Sequence, residues 1–191
     1  MNAKEEKIRY DLHKNSPDDQ GYVDFLKRLV DPLSIKLKQG FKGLDFGCGP
    51  GPTVDVLLKE QGVSVANYDP FYFPDQNLLK NCYDFVVCTE VIEHFYEPRR
   101  EFIRLDQLLK GEGSFLAVMT QEVPAEKKFV DWWYHREPSH VCFYSRATFK
   151  WLAHWLGWRA EYPKENVVIF SKSSVLTLKE PTNELRESKV C

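Results

Sequence analysis

The 191-residue sequence predicts an α/β domain with a doubly wound, mostly parallel β-sheet. Three observations lead to this prediction. Short apolar runs alternate with segments of helical periodicity, one early run ends in a glycine cluster, and the last two runs are separated by only a short polar turn. The composition, 43% hydrophobic and 28% charged, is that of a globular protein with a substantial core.

The predicted elements follow the hydrophobic periodicity. The helices are expected at residues 22–38, 52–60, 98–109 and 145–157, and the strands at residues 43–47, 63–69, 84–88, 114–120, 158–163 and 166–172. Pro32 is expected to kink or end the first helix, and Ser145 and Gly157 have the residue types that cap the last one. The strand at 84–88 is apolar enough to be buried on both faces, as a central parallel strand is. The last two strands form a hairpin that should add an antiparallel edge strand.

Both ends of the sequence are polar, so we expect one domain over residues 1–191 with its core at 40–172. Residues 1–20 are predicted to form a loosely held arm, and residues 173–191 a polar tail that is disordered or at most a docked helix. Three residues are candidates for a lid over the core: Tyr10, His13 and Tyr22. The N-terminus lacks an apolar signal segment, and no apolar run approaches the ~20 residues that cross a bilayer. We therefore expect a cytoplasmic protein without a membrane span.

The strongest functional signal is LDFGCGPGP at residues 44–52. A predicted strand carries Asp45 near its end and leads into the glycines at Gly47, Gly49 and Gly51. Glycines allow a sharp turn and let a ligand approach the backbone without meeting a Cβ atom. A proline stands where the third glycine of the dinucleotide fingerprint G-x-G-x-x-G would fall. The spacing therefore disfavours a nicotinamide- or flavin-dependent oxidoreductase.

Two acidic residues favour a cationic nucleoside ligand over a pyrophosphate. Asp45 adds a negative charge to the loop, which suits the cationic amino-acid end of S-adenosylmethionine. Asp69 ends the next predicted strand, where a carboxylate can accept hydrogen bonds from both ribose hydroxyls. A structural glycine turn beside an incidental surface aspartate is the alternative interpretation.

With these motifs, the sequence resembles the class I S-adenosylmethionine-dependent methyltransferases, and most closely the branch that includes the polyprenyl-benzoquinol methylases. The resemblance covers about residues 40–172 and rests on LDFGCGPGP, NYDP and FVVCTEVIEHF. It implies a Rossmann-like fold, S-adenosylmethionine as cofactor and methyl transfer to an acceptor, most simply a small molecule. The cofactor residues that it implies are Asp45, Gly47, Cys48, Gly49, Gly51, Asp69, Pro70, Thr89 and Glu90. In this resemblance Asp45, Thr89 and Glu90 lie near the methionine end, and Asp69 holds the ribose.

One segment departs from the family pattern. Residues 70–83 are too few for the helix and strand that the family has at this point, so the sheet is predicted to lack one strand. The adenine contacts must then come from elsewhere, and Phe71, Tyr72 and Gln76 are the candidates.

The candidate catalytic residues lie in two later segments. His94 follows the buried strand, near the expected point of methyl transfer, and Glu93 is interpreted as a hydrogen-bonded partner of His94 that shapes the turn. Within the aromatic segment 129–145, His140 is a candidate general base, because an oxygen or nitrogen acceptor must lose a proton and imidazole titrates in the useful range. A structural hydrogen bond remains the alternative for each histidine.

Metal and nucleic acid are not expected partners. His135, His140 and Cys142 lie close together in sequence, but no fourth ligand is evident beside them and methyl transfer from a sulfonium needs no metal. The net charge is −2, and Arg136 is the only lysine or arginine in the aromatic segment before Ser145, whereas nucleic-acid-binding proteins are usually basic. The alternative function is that of a non-catalytic S-adenosylmethionine-binding regulator or an inactive homologue. The sequence does not indicate the oligomeric state.

Overall fold

A mixed β-sheet with helices on both faces forms the centre of the protein in a computed structural model that describes residues 3–12, 15–124 and 129–173. The helices are α1 (Ala3–Tyr10), α2 (Gln20–Ser34), α3 (Val54–Leu58), α4 (Pro98–Leu108) and α5 (Arg146–Leu156). The strands are β1 (Lys42–Phe46), β2 (Ser64–Tyr68), β3 (Phe85–Thr89), β4 (Phe115–Met119), β5 (Trp158–Lys164) and β6 (Val167–Lys172). Their order is β2-β1-β3-β4-β6-β5, with β1 to β4 parallel. The predicted α/β class and mostly parallel sheet are confirmed.

β3 shows why the sheet needs helices on both faces. It pairs in parallel with β1 on one side and β4 on the other. Phe85 and Val87 point into the core formed with α2 and α3, and Val86 and Cys88 into the core formed with α4 and α5. All four side chains are fully buried, so the apolar run at 84–88 serves both cores, as predicted.

Capping residues position the helices that flank the site. The side chain of Asp19 accepts a hydrogen bond from the backbone N of Tyr22 at 3.2 Å and begins α2. Ser145 and Thr148 form a capping box at the start of α5, and Gly157 ends that helix at φ +72°. The predicted caps of α5 are therefore confirmed.

Three local predictions were wrong. α2 ends at Ser34 rather than at residue 38. Pro32 lies inside the last turn of this helix, where it has no backbone N–H to donate. α3 begins at Val54, directly after its N-cap residue Thr53, rather than at the predicted Pro52. Part of the arm that we expected to be loosely held is the helix α1.

The C-terminal hairpin is confirmed, but its strands are arranged differently from the prediction. β6 pairs antiparallel with both β4 and β5, so the antiparallel strand lies inside the sheet and β5 is the edge strand. The edge strand β5 is largely exposed, whereas the first four residues of the apolar β6 are buried.

The predicted loss of one strand is also confirmed. Residues 70–84 are all described, and they form a single 3₁₀ turn (Leu78–Lys80) and isolated bridges instead of a strand. The backbones of Asp69 and Phe73 exchange two hydrogen bonds, so the chain turns back across the carboxyl end of β2. The order of the sheet reverses between β1 and β3, and the crevice at that point is where open α/β sheets bind ligands.

Two sequence predictions concern parts of the chain outside the described residues: His13 of the lid candidates, and the tail beyond Ser173. None of the helices in the described ranges is long and apolar enough to cross a membrane.

Candidate active site

A cavity of about 820 Å³ opens at the carboxyl ends of β1, β2 and β3. Its volume lies within the range of pockets that hold small molecules and cofactors. The lining includes eight of the nine predicted cofactor residues: Asp45, Gly47, Cys48, Gly49, Asp69, Pro70, Thr89 and Glu90. Both predicted catalytic residues, His94 and His140, line the same cavity.

The glycine loop is held against the end of β2 by backbone hydrogen bonds. The N–H groups of Gly47 and Cys48 donate to the carbonyl of Tyr68 at 2.8 and 3.2 Å. Gly47 has φ +82°, and a Cβ atom there would lie 2.5 Å from the side chain of Val91. Glycine is therefore required at this position both for backbone conformation and for the close approach of the turn after β3.

Gly51 is the one predicted cofactor residue that does not line the cavity. A Cβ atom at Gly51 would lie 1.9 Å from the carbonyl oxygen of Asn15, in the segment that joins α1 to α2. The third glycine thus admits the backbone of the N-terminal segment. A sequence motif could not reveal this contact, because Asn15 is remote in the chain.

Asp69 is buried, and both of its carboxylate oxygens accept backbone hydrogen bonds. Oδ2 accepts from the N–H of Gly49 at 3.1 Å, and Oδ1 accepts from Phe71 and Tyr72 at 2.8 and 3.2 Å. The carboxylate therefore ties the glycine loop to the turn after β2. Oδ1 thereby uses both of its lone pairs, whereas Oδ2 can accept one further hydrogen bond.

The three adenine candidates lie in different places. Phe71 and Tyr72 line the cavity, whereas Gln76 does not, and its side-chain amide donates to the hydroxyl of Tyr68 at 3.0 Å. Only the two aromatic candidates are therefore placed to contact a ligand.

Asp45, at the end of β1 that leads into the glycine loop, has a strongly raised pKa. It is buried, and this burial, together with the negative charges of Asp55 and Asp69, raises its pKa from 3.8 to about 7. An ionised carboxylate here is destabilised in the protein alone and would be stabilised by a cation.

Beyond β3, two carboxyl groups share one buried tyrosine. The hydroxyl of Tyr134 lies 3.0 Å from Oε2 of Glu90 and 2.5 Å from Oε1 of Glu93. The other oxygen of Glu93 accepts from Oγ1 of Thr120 at 2.9 Å. Burial raises the pKa of both glutamates, and that of Glu90 is raised further by the charge of Glu93. The Glu93 carboxylate thus accepts hydrogen bonds from Tyr134 and Thr120, and its predicted pairing with His94 stays a prediction.

Two polar atoms at the end of β3 are buried without a hydrogen-bond partner among the described residues: Oγ1 of Thr89 and Oε1 of Glu90. Glu90 also has a positive φ of 53°, a conformation that is strained for a residue with a side chain. Its backbone N–H donates to the carbonyl of Met119 at 2.8 Å, which fixes the strained turn against β4. Buried polar atoms of this kind normally have partners, so they mark a place for a polar ligand.

The two histidines that the sequence treated separately lie side by side. The ring centroids of His94 and His140 are 4.9 Å apart. Nδ1 of His94 lies 2.9 Å from the carbonyl of Ser139, and Nδ1 of His140 lies 2.8 Å from the carbonyl of Tyr134. Since a carbonyl only accepts, Nδ1 is the protonated nitrogen in both rings. In the neutral rings the lone pair is then on Nε2.

Helix α1 borders the same cavity. Tyr10 packs edge-on against His94, with ring centroids 5.3 Å apart, and also contacts Phe71 at 5.8 Å. Arg9 forms a two-pronged ion pair with Glu137 of the aromatic segment and holds the pKa of that carboxyl at about 2. The sequence indicated Tyr10 as a lid residue but gave no signal for the Arg9–Glu137 pair, whose members are 128 positions apart.

The aromatic segment has an internal core and an exposed side. Phe129, Trp132 and Phe143 pack on one another, and Tyr134 is almost fully buried. His135 stacks on Phe129. The set of His135, His140 and Cys142 that we weighed as metal ligands is not a cluster in the described residues, where His140 instead lies beside His94.

A family model described as a methyltransferase domain matches residues 19–162, which is most of the chain. The chain belongs to the class I S-adenosylmethionine-dependent methyltransferases. The cofactor is therefore expected to be S-adenosylmethionine, as the family implies. No curated protein sequence matches the chain. The more specific resemblance to the polyprenyl-benzoquinol methylases stays a prediction.

Solved structures share the fold at low sequence identity. A Bacillus halodurans protein assigned as a methyltransferase is 19% identical, with a TM-score of 0.57 over 70% of this chain and 67% of that one. An O-methyltransferase family protein from Burkholderia thailandensis is 13% identical, with a TM-score of 0.60 over 90% and 64%. CalO1, a methyltransferase of calicheamicin biosynthesis solved with S-adenosylhomocysteine, is 13% identical, with a TM-score of 0.56 over 90% and 59%. This chain thus spans less than two thirds of the length of the last two proteins.

Proposed function

We propose that this methyltransferase binds S-adenosylmethionine along the glycine loop and transfers its methyl group to a small-molecule acceptor held beside His94 and His140. The observation that carries the proposal is that one cavity is lined both by the predicted cofactor residues and by the histidine pair. A donor site and an acceptor site within one cavity are what direct transfer between two bound molecules requires.

The residues present fit the cofactor. Gly49, at φ +65°, lines the cavity, and the nearest atom to a Cβ placed there would be Nδ2 of Asn15 at 3.8 Å, so the loop presents backbone with open space beside it to a nucleoside. Asp45 is a buried carboxyl group that a cationic amino-acid end would stabilise. Oγ1 of Thr89 and Oε1 of Glu90, which have no partner in the described part of the chain, would supply polar contacts at the same end. We assign the ribose to Asp69, and the adenine to the side of the cavity formed by Phe71 and Tyr72.

When bound, S-adenosylmethionine supplies a methyl group on an electrophilic sulfonium. The protein's own contribution is to align the acceptor with that methyl and to exclude water. Tyr10 covers His94, and Tyr134 covers His140 at a centroid distance of 4.0 Å, so the acceptor end is enclosed by aromatic rings. We assign deprotonation of the acceptor to the histidine pair, because an oxygen or nitrogen acceptor must lose its proton there.

Calorimetric titration with S-adenosylhomocysteine tests the cofactor assignment. The wild-type protein should bind one equivalent and melt at a higher temperature in its presence, because the ligand binds only the folded state. Asp45→Asn should weaken this binding. Asp31→Asn, at an exposed position on α2, is its matched control, since both variants replace an aspartate by its amide. No heat and no stabilisation at millimolar ligand would overturn the proposal. Turnover with candidate acceptors then separates an enzyme from a protein that only binds the cofactor.

A further inference from the structure

Three potential metal ligands meet at the acceptor end of the cavity. Glu93, His94 and His140 each offer one ligand atom, and these atoms lie within 4.8 Å of one another. Glu93 is fully buried and the two histidines are half-buried. We propose that these three residues bind a divalent first-row transition-metal ion, with Zn²⁺ as its simplest redox-inactive form. The sequence predicted no metal, because it grouped His140 with His135 and Cys142 instead of with the EH pair after β3.

The hydrogen bonds of the two histidines are those of metal ligands. A ligating imidazole almost always donates its second ring nitrogen to a carbonyl or carboxylate, which fixes the tautomer and the orientation of the ring. His94 donates from Nδ1 to Ser139, and His140 donates from Nδ1 to Tyr134, both to backbone carbonyls of one loop. The same tautomer, with the lone pair on Nε2, is thereby set in two rings that lie 4.9 Å apart. A single general base requires only one such ring.

The carboxylate of Glu93 is braced in the same way. One oxygen accepts from Tyr134 at 2.5 Å and the other from Thr120 at 2.9 Å. The backbone carbonyl of Glu93 accepts from the N–H groups of Val141 and Cys142 at 2.8 and 3.0 Å, which fixes the turn after β3 to the loop that carries His140. Partners that hold ligating carboxylates in place are a regular part of metal sites.

The donor set and the surrounding charge select the kind of ion. Two imidazoles and one carboxylate suit Zn²⁺ and its first-row neighbours, whereas Mg²⁺ and Ca²⁺ prefer oxygen ligands. Zn–N and Zn–O bonds are about 2.0–2.2 Å long, so the three ligand atoms would have to move closer together than 4.8 Å when the ion binds. Small side-chain rotations can bring them together. The second carboxyl group, Glu90, shares Tyr134 with Glu93, so a dication here would neutralise a cluster of acids.

The metal would define the acceptor class, an extension that rests on the proposed function. Three protein ligands leave coordination positions open, and these would face the cavity that His94 and His140 line. An acceptor hydroxyl that binds at an open position loses its proton at lower pH than in water. The acceptor would then be a molecule with a coordinating hydroxyl group, and the histidine pair would promote deprotonation through the ion.

Metal titration of the chelator-treated protein, without any S-adenosyl ligand, tests the site. Co²⁺ should give visible d–d absorption that saturates at one equivalent and is displaced by Zn²⁺. His94→Ala and His140→Ala should each weaken the affinity more than ~100-fold, and Thr120→Val, which removes only a bracing hydroxyl, about 10–100-fold. His154→Ala, on the exposed side of α5, and His135→Ala are the matched controls and should bind as wild type does.

Two results would overturn the inference: no saturable Co²⁺ spectrum with the wild-type protein, or an equal loss of affinity in the control variants. Circular dichroism checks that each variant folds. Should an alanine variant fail to fold, nitrogen NMR of the wild-type protein identifies the ligands, because Zn²⁺ should shift the Nε2 signals of His94 and His140. Parallel titration with S-adenosylhomocysteine separates the two proposals. A wild-type protein that binds S-adenosylhomocysteine but no metal overturns this inference, and one that binds metal but no S-adenosylhomocysteine overturns the cofactor assignment.

Discussion

Asp45→Asn should stabilise the protein at neutral and alkaline pH while weakening its cofactor site. The substitution preserves the shape of the side chain and removes its charge. Burial and the charges of Asp55 and Asp69 raise the pKa of Asp45 from 3.8 in the unfolded chain to about 7 in the folded protein. Between these pH values the folded protein holds a proton that the unfolded chain has released, so the free energy of unfolding falls as the pH rises through this window.

The magnitude follows from the size of the shift. A rise of about three pH units, at about 1.4 kcal/mol each, makes ionised Asp45 cost roughly 4 kcal/mol of folding stability at pH 8. Asp45→Asn should therefore match wild type near pH 4 and exceed it by up to ~4 kcal/mol at pH 8. Urea unfolding at several pH values measures this difference, and Asp31→Asn is the control at an exposed position. A variant no more stable than wild type at pH 8 would refute the electrostatic reasoning.

The same substitution should reduce cofactor affinity. Loss of a charged hydrogen-bonding partner should weaken binding of S-adenosylhomocysteine by about 1.5–3 kcal/mol. Because the ligand favours ionised Asp45, wild-type affinity should also fall as the pH drops below about 7, and this part of the pH dependence should be absent in Asp45→Asn. The difference between the two proteins isolates Asp45 from other groups that titrate nearby. Equal dissociation constants across the pH range would show that Asp45 does not serve the ligand.

Three further predictions concern the other parts of the cavity. Asp69→Ala should weaken S-adenosylhomocysteine binding by about 1.5–3 kcal/mol in calorimetry, and also lower the melting temperature because Asp69 holds Gly49; an unchanged dissociation constant would place the ribose elsewhere. His140→Ala should lower turnover ~10²–10⁴-fold at unchanged S-adenosylhomocysteine affinity, and a joint loss of stability and ligand binding would make the residue structural. Arg9→Met should speed hydrogen exchange in α1. Acid should also speed hydrogen exchange in α1 of the wild-type protein. The ion pair of Glu137 with Arg9 stabilises the fold above the ordinary glutamate pKa of 4.5, and this stabilisation is lost as the pH falls toward about 2. Exchange that is unchanged in the variant would contradict a role for this ion pair in holding α1.

The parts of the fold that could be predicted are those with a local signal. The apolar run of β3, the capping residues of α5 and the glycine turn after β1 each depend on neighbouring residues, so their patterns are visible in the sequence. The missing strand was predictable for the same reason, because too few residues separate Asp69 from β3. The end of α2 was placed four residues too late, although Pro32 had signalled it: the helix ends at Ser34, two residues after the proline.

The parts that could not be predicted depend on contacts between distant segments. Tyr134 and Thr120 meet Glu93 although they lie 41 and 27 positions away. The pairing of His94 with His140 depends on an irregular loop without hydrophobic periodicity, so the sequence offered each histidine as a separate candidate. Gly51 shows the reverse case, in which a residue of a recognisable motif packs against the remote Asn15.

A crystal structure with S-adenosylhomocysteine tests the central claim most directly, that one cavity joins a cofactor site at the glycine loop to an acceptor site at the histidine pair. We predict the amino-acid end of the ligand beside Asp45 and the buried oxygens of Thr89 and Glu90, with the ribose on Asp69. The sulfur should face the space beside His94, with no protein atom in between. A ligand bound away from the glycine loop, or with its sulfur turned away from the histidines, would contradict this account.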